Sequence, residues 1–320
     1  MKLFYWKSPS GNFGDDLNLW LWDNLLPGWQ EWDRARWLIG VGTILNRKLL
    51  PPVGPRLVIG SGVGFGTVPQ LAPPNAWDVR CVRGPRTARA LGLPEDTGII
   101  DPAVMTARLS EFLEVELTNR ALYIPHCHSD VDPDYDWPSI CAQADLLYLS
   151  PRGDSREVTR MIAGARLVIS ESMHGAIVAD AFRVPWRAVS LVSNFNEFKW
   201  RDWTESLSMD IEIVPLSRPL RQARRLVQGV RRRLSSTRDR ERFTTSQAGY
   251  NRLGSNCSSL LPRNVAVSAL QSVQQKLVVR TLRRLAASEP YLSNPAILAR
   301  RMDALQEKLD GIIKDYSGST

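Results

Sequence analysis

The chain has 320 residues, 43% of them hydrophobic and 23% charged, a balance that suits two compact globular domains and excludes a largely disordered chain. Its net charge of +8 is unevenly placed, with 21 basic against 26 acidic residues through position 215 and 20 against 7 from position 216 onward; the body is mildly acidic, which argues against a nucleic-acid-binding surface there. No apolar run approaches the roughly 20 residues needed to cross a bilayer, Met1 to Lys7 is too short and polar for a secretory signal, and Cys81, Cys127, Cys141 and Cys257 form no C-x-x-C pair, so a cytoplasmic chain without a disulfide framework or structural zinc is expected.

Leu3 to Trp6 reads as a strand running into the loop Gly11-Asn12-Phe13-Gly14-Asp15-Asp16, after which Leu17, Leu21 and Leu25 recur at helical spacing. Further strands are expected at 37–43 and 57–64, both ending in glycines, and at 79–82, with Arg83-Gly84-Pro85-Arg86 leading into a helix from Thr87 to Leu91 and Ile99 to Ala103 closing the series. The rhythm restarts near residue 115, with strands at 121–126, 145–149, 165–170, 186–189 and 211–214 and helices at 158–163 and 176–182. The implied fold class is α/β, with one unit over residues 1–115, a second over 116–215, and ligands at the carboxyl ends of the strands. Residues 216–320 are expected to form a basic helical extension: Leu220, Ala223, Val227, Val230 and Leu234 share one face amid arginines, Ser235 to Ser259 reads as a linker, and helices follow at 265–285 and 295–313.

His174 lies where a buried strand opens into a helix begun by Gly175, and a helix start stabilises anions. It is either a proton-transfer group or a histidine that caps the turn. Arg83 and Arg86 suit a carboxylate or phosphate ligand, or else form salt bridges at a helix start. Asp15 and Asp16 would orient an acceptor hydroxyl, or cap the helix that follows. Gly40-x-Gly42 and Gly60-x-Gly62-x-Gly64 lack the dinucleotide-binding spacing. His126-x-His128 lacks a third metal ligand, and the alternating aspartates 130–136 lack the glycine and glutamate of a calcium loop, so no metal is expected and His126 is assigned to substrate contact. Lys199-Trp200-Arg201-Asp202-Trp203 reads as a loop whose tryptophans either stack on a sugar or latch onto the core.

Gly11 to Asn18, Arg83-Gly-Pro-Arg86, Asp101-Pro-Ala103 and Ser170-Glu171-Ser172-Met173-His174-Gly175, in this order, resemble the polysaccharide pyruvyltransferase family, most closely its branch acting in exopolysaccharide synthesis. The resemblance covers residues 1 to about 215. It implies a GT-B-like pair of Rossmann-type domains facing a cleft, and transfer of pyruvate from phosphoenolpyruvate to two sugar hydroxyls as a cyclic ketal, with no further cofactor. In that setting His174 would be the acid and Glu171 the base, Arg83 and Arg86 would hold the donor's anionic groups, and Asn12, Asp15, Asp16, His126 and Ser172 would contact substrate. Many members resemble Arg-Leu-His where this chain has Ser172-Met173-His174, so Lys199 or Arg201 is expected to supply the missing cation. The acceptor would be a lipid-linked oligosaccharide at the inner membrane face, with residues 216–242 resting on anionic lipid or instead covering the protein. A glycosyltransferase using a nucleotide sugar and a non-catalytic assembly protein are the competing readings.

Overall fold

The apolar runs of the sequence pair into two wholly parallel sheets in the computed structural model, which describes residues 1–191, 195–216 and 263–318. In the first sheet β1 (Lys2–Phe4), β2 (Trp37–Ile39), β3 (Arg56–Ile59) and β4 (Trp77–Cys81) lie side by side in chain order. The second is built from β5 (Ala121–Ile124), β6 (Leu147–Tyr148), β7 (Leu167–Ser170), β8 (Trp186–Ser190) and β9 (Ile213–Pro215), in the spatial order β6-β5-β7-β8-β9. Crossover connections cover both faces of a parallel sheet, so successive side chains of one strand enter different cores. Leu38, Leu57, Leu122, Ile124 and Val168 join one large apolar cluster that contains residues of both sheets. Their neighbours turn the other way: Ile39 and Val58 into a cluster on the far face of the first sheet, and Tyr123, Leu167 and Ile169 into one on the far face of the second.

The intervening helices are short: α1 (Phe13–Asp16), α2 (Leu21–Leu25), α3 (Pro85–Leu91), α4 (Cys127–Asp130), α5 (Trp137–Gln143), α6 (Ser155–Ala163), α7 (Met173–Ala181) and α8 (Glu197–Ser206). Three expectations change. The helix expected through Leu17, Leu21 and Leu25 is broken into α1, a 3-10 turn and α2. Ile99 to Ala103 adds no strand; the Asp101 carboxylate caps a 3-10 helix over Pro102–Arg108, whose proline at the first position cannot donate to a ladder. Lys199 to Trp203 is helical, because Asn196 caps α8 through the Lys199 N–H and a spacing of three puts Trp200 and Trp203 together under Trp186. Both indoles are wholly buried, so they latch the core and offer no face to a sugar.

Beyond residue 262 the chain returns to the body. The helix Arg263–Ala286 places Val278, Leu282 and Leu285 beside Trp137 and Ile140 of α5. The helix Pro295–Tyr316 sends Leu298, Met302, Leu305, Leu309 and Ile312, spaced by three and four, into the cluster common to both sheets. Its end is pinned to β4, where Arg80 pairs with Asp315 at 2.7 Å and the Tyr316 hydroxyl donates to Asp78 at 2.6 Å. This part of the expected extension is therefore integral to the sheets, whereas the stretches 217–242 and 235–259 lie outside the described residues. Leu309→Ala should lower the unfolding free energy by about 2–5 kcal/mol in a urea titration; a loss under about 1 kcal/mol would mean that this helix contributes little to the fold.

Candidate active site

Two close approaches crowd the strand ends, one between the two sheets and one within the first. Gly14 of α1 lies so near the imidazole of His174 that a Cβ there would fall 2.1 Å from Nδ1, so only glycine allows the ring and the helix to touch. Gly62, after β3, is pressed in the same way against the Arg83 guanidinium, where a Cβ would meet Cζ at 2.3 Å. Arg83 is wholly buried. Its Nε donates to Asp202 Oδ2 at 3.0 Å, Nη1 to Thr43 Oγ1 at 2.7 Å and Nη2 to the Val63 carbonyl at 2.9 Å. Asp202 is completed by the Thr87 amide at 2.8 Å and the Thr87 hydroxyl at 2.6 Å. Charge and hydrogen-bonding capacity are thus matched where water is absent.

Between the sheets opens a pocket of about 280 Å³. Asn12, Asp15 and Thr43 reach it from the loops of the first sheet; His126, Cys127, Ser172, Met173, His174 and Lys199 reach it from the second. The first turn of α7, which begins after Ser172, brings the positive end of a helix to the wall. Burial pushes the Asp15 carboxyl up to about 6, against the opposing pull of His174 and Lys199. Burial, reinforced by the nearby Arg83, draws the Lys199 ammonium down to about 8. His126 falls to about 3, through burial and then Lys199, so its ring is neutral. Its Nδ1 accepts from the His128 amide at 3.2 Å, which assigns the proton to Nε2 and makes His126 a neutral donor.

His174 is 7% exposed, and its Nε2 lies 3.8 Å from Oδ2 of the wholly buried Asp101. Neither atom has a hydrogen-bond partner, although Asp101 Oδ1 accepts from the Ala103 amide at 3.0 Å. Two buried polar atoms left unpaired cost free energy, and a small shift joins them. The arrangement is an imidazole backed by a carboxylate, able to carry a proton while the carboxylate stabilises the charged ring.

Of the residues expected at the site, Asn12, Asp15, His126, Ser172, His174 and Lys199 are brought together, and the others lie elsewhere. Arg83 stands behind the wall, committed to Asp202. Arg86 pairs with Glu205 at 2.6 Å, and Arg201 with Asp210 at 2.7 Å, in a separate surface depression. Asp16 accepts the Asn12 amide at 3.3 Å and serves the helix start. Glu171 is fully buried, taking the His126 amide at 3.0 Å and the Leu191 amide at 2.7 Å, which ties together the ends of β5, β7 and β8.

The sequence profile of the polysaccharide pyruvyl transferase family matches residues 26–193, more than half of the chain. The chain belongs to that family. This pyruvyltransferase is also similar to the succinoglycan biosynthesis protein ExoV of Rhizobium meliloti (strain 1021), with 42% identity over 329 aligned positions that span 99% of this chain and all of that protein.

In the pyruvyltransferase, Asp101 and Thr43 are among the residues near the site that sequence reasoning left without a role. Asp101 stood in one of the recognised motifs, and a carboxylate preceding proline at a helix start was the available signal. Thr43 followed the Gly40-x-Gly42 turn but gave no chemical cue of its own. Since a buried charge stripped of its partner is expensive, Asp202→Ala should cost about 3–5 kcal/mol in chemical denaturation. The paired change Arg83→Met with Asp202→Leu should recover part of that loss; a single variant as stable as the parent would show that the ion pair does not hold the loops.

Proposed function

We propose that the pocket transfers pyruvate from phosphoenolpyruvate to two hydroxyls of one sugar in an exopolysaccharide repeat unit, forming a cyclic ketal in the cleft of a GT-B-like pair of domains. The observation that carries this reading is the meeting, in one pocket of a pyruvyltransferase, of a cation at Lys199 with the His174 and Asp101 pair. Lys199, the first turn of α7 and the Nε2–H of His126 supply donors for the phosphate and carboxylate, and Lys199 takes the part of the arginine that other members carry near His174. At about 280 Å³ the space is at the small end of ligand pockets, in keeping with a donor of this size.

His174 donates a proton to the methylene carbon, making a methyl group and leaving positive charge on the adjacent carbon. A sugar hydroxyl attacks that carbon and gives up its proton to Asp15, which lines the same pocket from the first sheet and whose raised value suits a base near neutrality. The phosphate leaves, the second hydroxyl attacks, and the ketal closes. Of the two hydroxyl protons, one restores the proton spent on the methyl group and the other accompanies the phosphate. Asp101 holds His174 and stabilises its charged form.

Two titrations bound the activity. Asp15 loses its base form as pH falls through about 6. Lys199 loses its charge as pH rises through about 8. The dissociation constant for phosphoenolpyruvate, measured by calorimetry, should therefore rise above that upper value. Lys199→Met should weaken binding by about 10–100-fold and abolish the alkaline rise; an unchanged constant would remove Lys199 from the donor site. Asp101→Asn should lower kcat by about 100-fold or more with a native circular dichroism spectrum, and a change smaller than about threefold would deny the pair its role.

The relative's part in succinoglycan biosynthesis supports an exopolysaccharide acceptor here, and we take that acceptor to be a lipid-linked oligosaccharide reached from the cytoplasmic face. Among the described residues no helix is long and apolar enough to cross a membrane. The arginine-rich stretch 216–242 is proposed as the contact with anionic lipid. Because the later helices pack into the core, the test keeps the chain whole: Arg231→Glu, Arg232→Glu and Arg233→Glu together should reduce sedimentation with vesicles containing anionic lipid, and equal sedimentation would overturn the proposal.

A further inference from the structure

The two walls of the pocket differ in chemistry. The second sheet contributes His126, His174 and Lys199 to one side. The first sheet contributes Trp6 after β1, Ile44 and Leu49 after β2, and Phe65 after β3, so three adjacent parallel strands each deliver an apolar group to the same edge. The other aromatic side chains of residues 1–115 are buried or half-buried, yet Trp6 is 49% and Phe65 45% exposed; the exposed aliphatic groups of that half, Leu19, Val53, Val68 and Leu113, do not line the pocket. An aromatic face left in water beside a reaction centre is stabilised when a ligand covers it.

We propose that Trp6 and Phe65 form the platform on which a pyranose ring of the acceptor lies during the reaction. The inference rests on the pyruvyl-transfer reading and extends it to the second substrate. Sugar C–H groups carry slight positive charge and settle on the negative faces of aromatic rings, while the hydroxyls project from the rim of the sugar. A ring lying on the first-sheet wall directs a hydroxyl pair toward Asp15 and His174, the residues at which the two walls meet. Lys199 links the walls, since its Nζ lies 5.9 Å from the centroid of Phe65. The anionic donor belongs to the cationic side and the acceptor to the aromatic side, and neither obstructs the other.

The experiment uses the full chain, phosphoenolpyruvate, and lipid-linked oligosaccharides extracted from cells lacking this protein. Phosphate release is followed against acceptor concentration, and donor affinity is measured separately by calorimetry. Trp6→Ala and Phe65→Ala should each raise the acceptor KM by about tenfold while the donor dissociation constant stays within about twofold, and Trp6→Tyr should recover most of the loss. Turnover with an unchanged acceptor KM in both alanine variants would overturn the platform alone. An equal rise in the donor constant would also overturn it, because the pocket as a whole would then have been disturbed. If the unaltered chain neither binds nor consumes phosphoenolpyruvate, the reading of the reaction falls and the platform with it.

Discussion

Everything at the pocket depends on how the buried guanidinium of Arg83 is satisfied. It follows β4 in the first sheet, whereas its counter-ion Asp202 is carried by α8, which leads into the last strand of the second. In water such a pair would be worth little, but here desolvation makes an incomplete partner set intolerable. The same guanidinium fixes Thr43 and the Val63 carbonyl, so the loops after β2 and β3 take their shape from one charged group. One turn before Asp202, α8 presents Lys199, and the clamp therefore sets where the pocket's cation stands.

The charges in the pocket are arranged by mutual restraint. Lys199 is weakened as an acid-stable cation by burial and by Arg83, yet Asp15 helps retain its proton. Asp15 is driven toward neutrality by burial and held back by Lys199 and His174. Burial thus brings both groups toward neutrality, Asp15 from below and Lys199 from above, where neither would titrate alone in water. His126 is kept neutral by burial and then by Lys199, and because its Nδ1 accepts from the amide of His128 it is a donor without charge.

Much of the fold was legible because parallel strands covered on both faces leave short unbroken apolar runs, and because glycine marks the places where their ends crowd together. His174 could be found for the same reason: a buried strand, a serine and a glycine frame it. What stayed hidden was which cation lines the pocket. Arg83, Arg86, Arg201 and Lys199 look alike in sequence, and the choice was made by carboxylates remote from the first two in the chain, Asp202 for Arg83 and Glu205 for Arg86. The helical state of α8 was hidden too, since its two tryptophans stand among charged residues and their common burial appears only when Trp186 lies beneath them. The Asp101 role required knowing that a cap leaves one oxygen over, facing an imidazole from a distant strand end.

The helix Pro295–Tyr316 has a temporal consequence. It covers part of a sheet whose strands are complete by Cys81, so the earliest layer of the protein is closed by residues made more than two hundred positions later. While the chain is still on the ribosome, the apolar groups that await Leu305 and Leu309 have no native cover. Synthesis proceeds at about 5–20 residues per second, so that interval lasts on the order of ten seconds or more, during which the nascent first half is exposed to wrong partners and to chaperones.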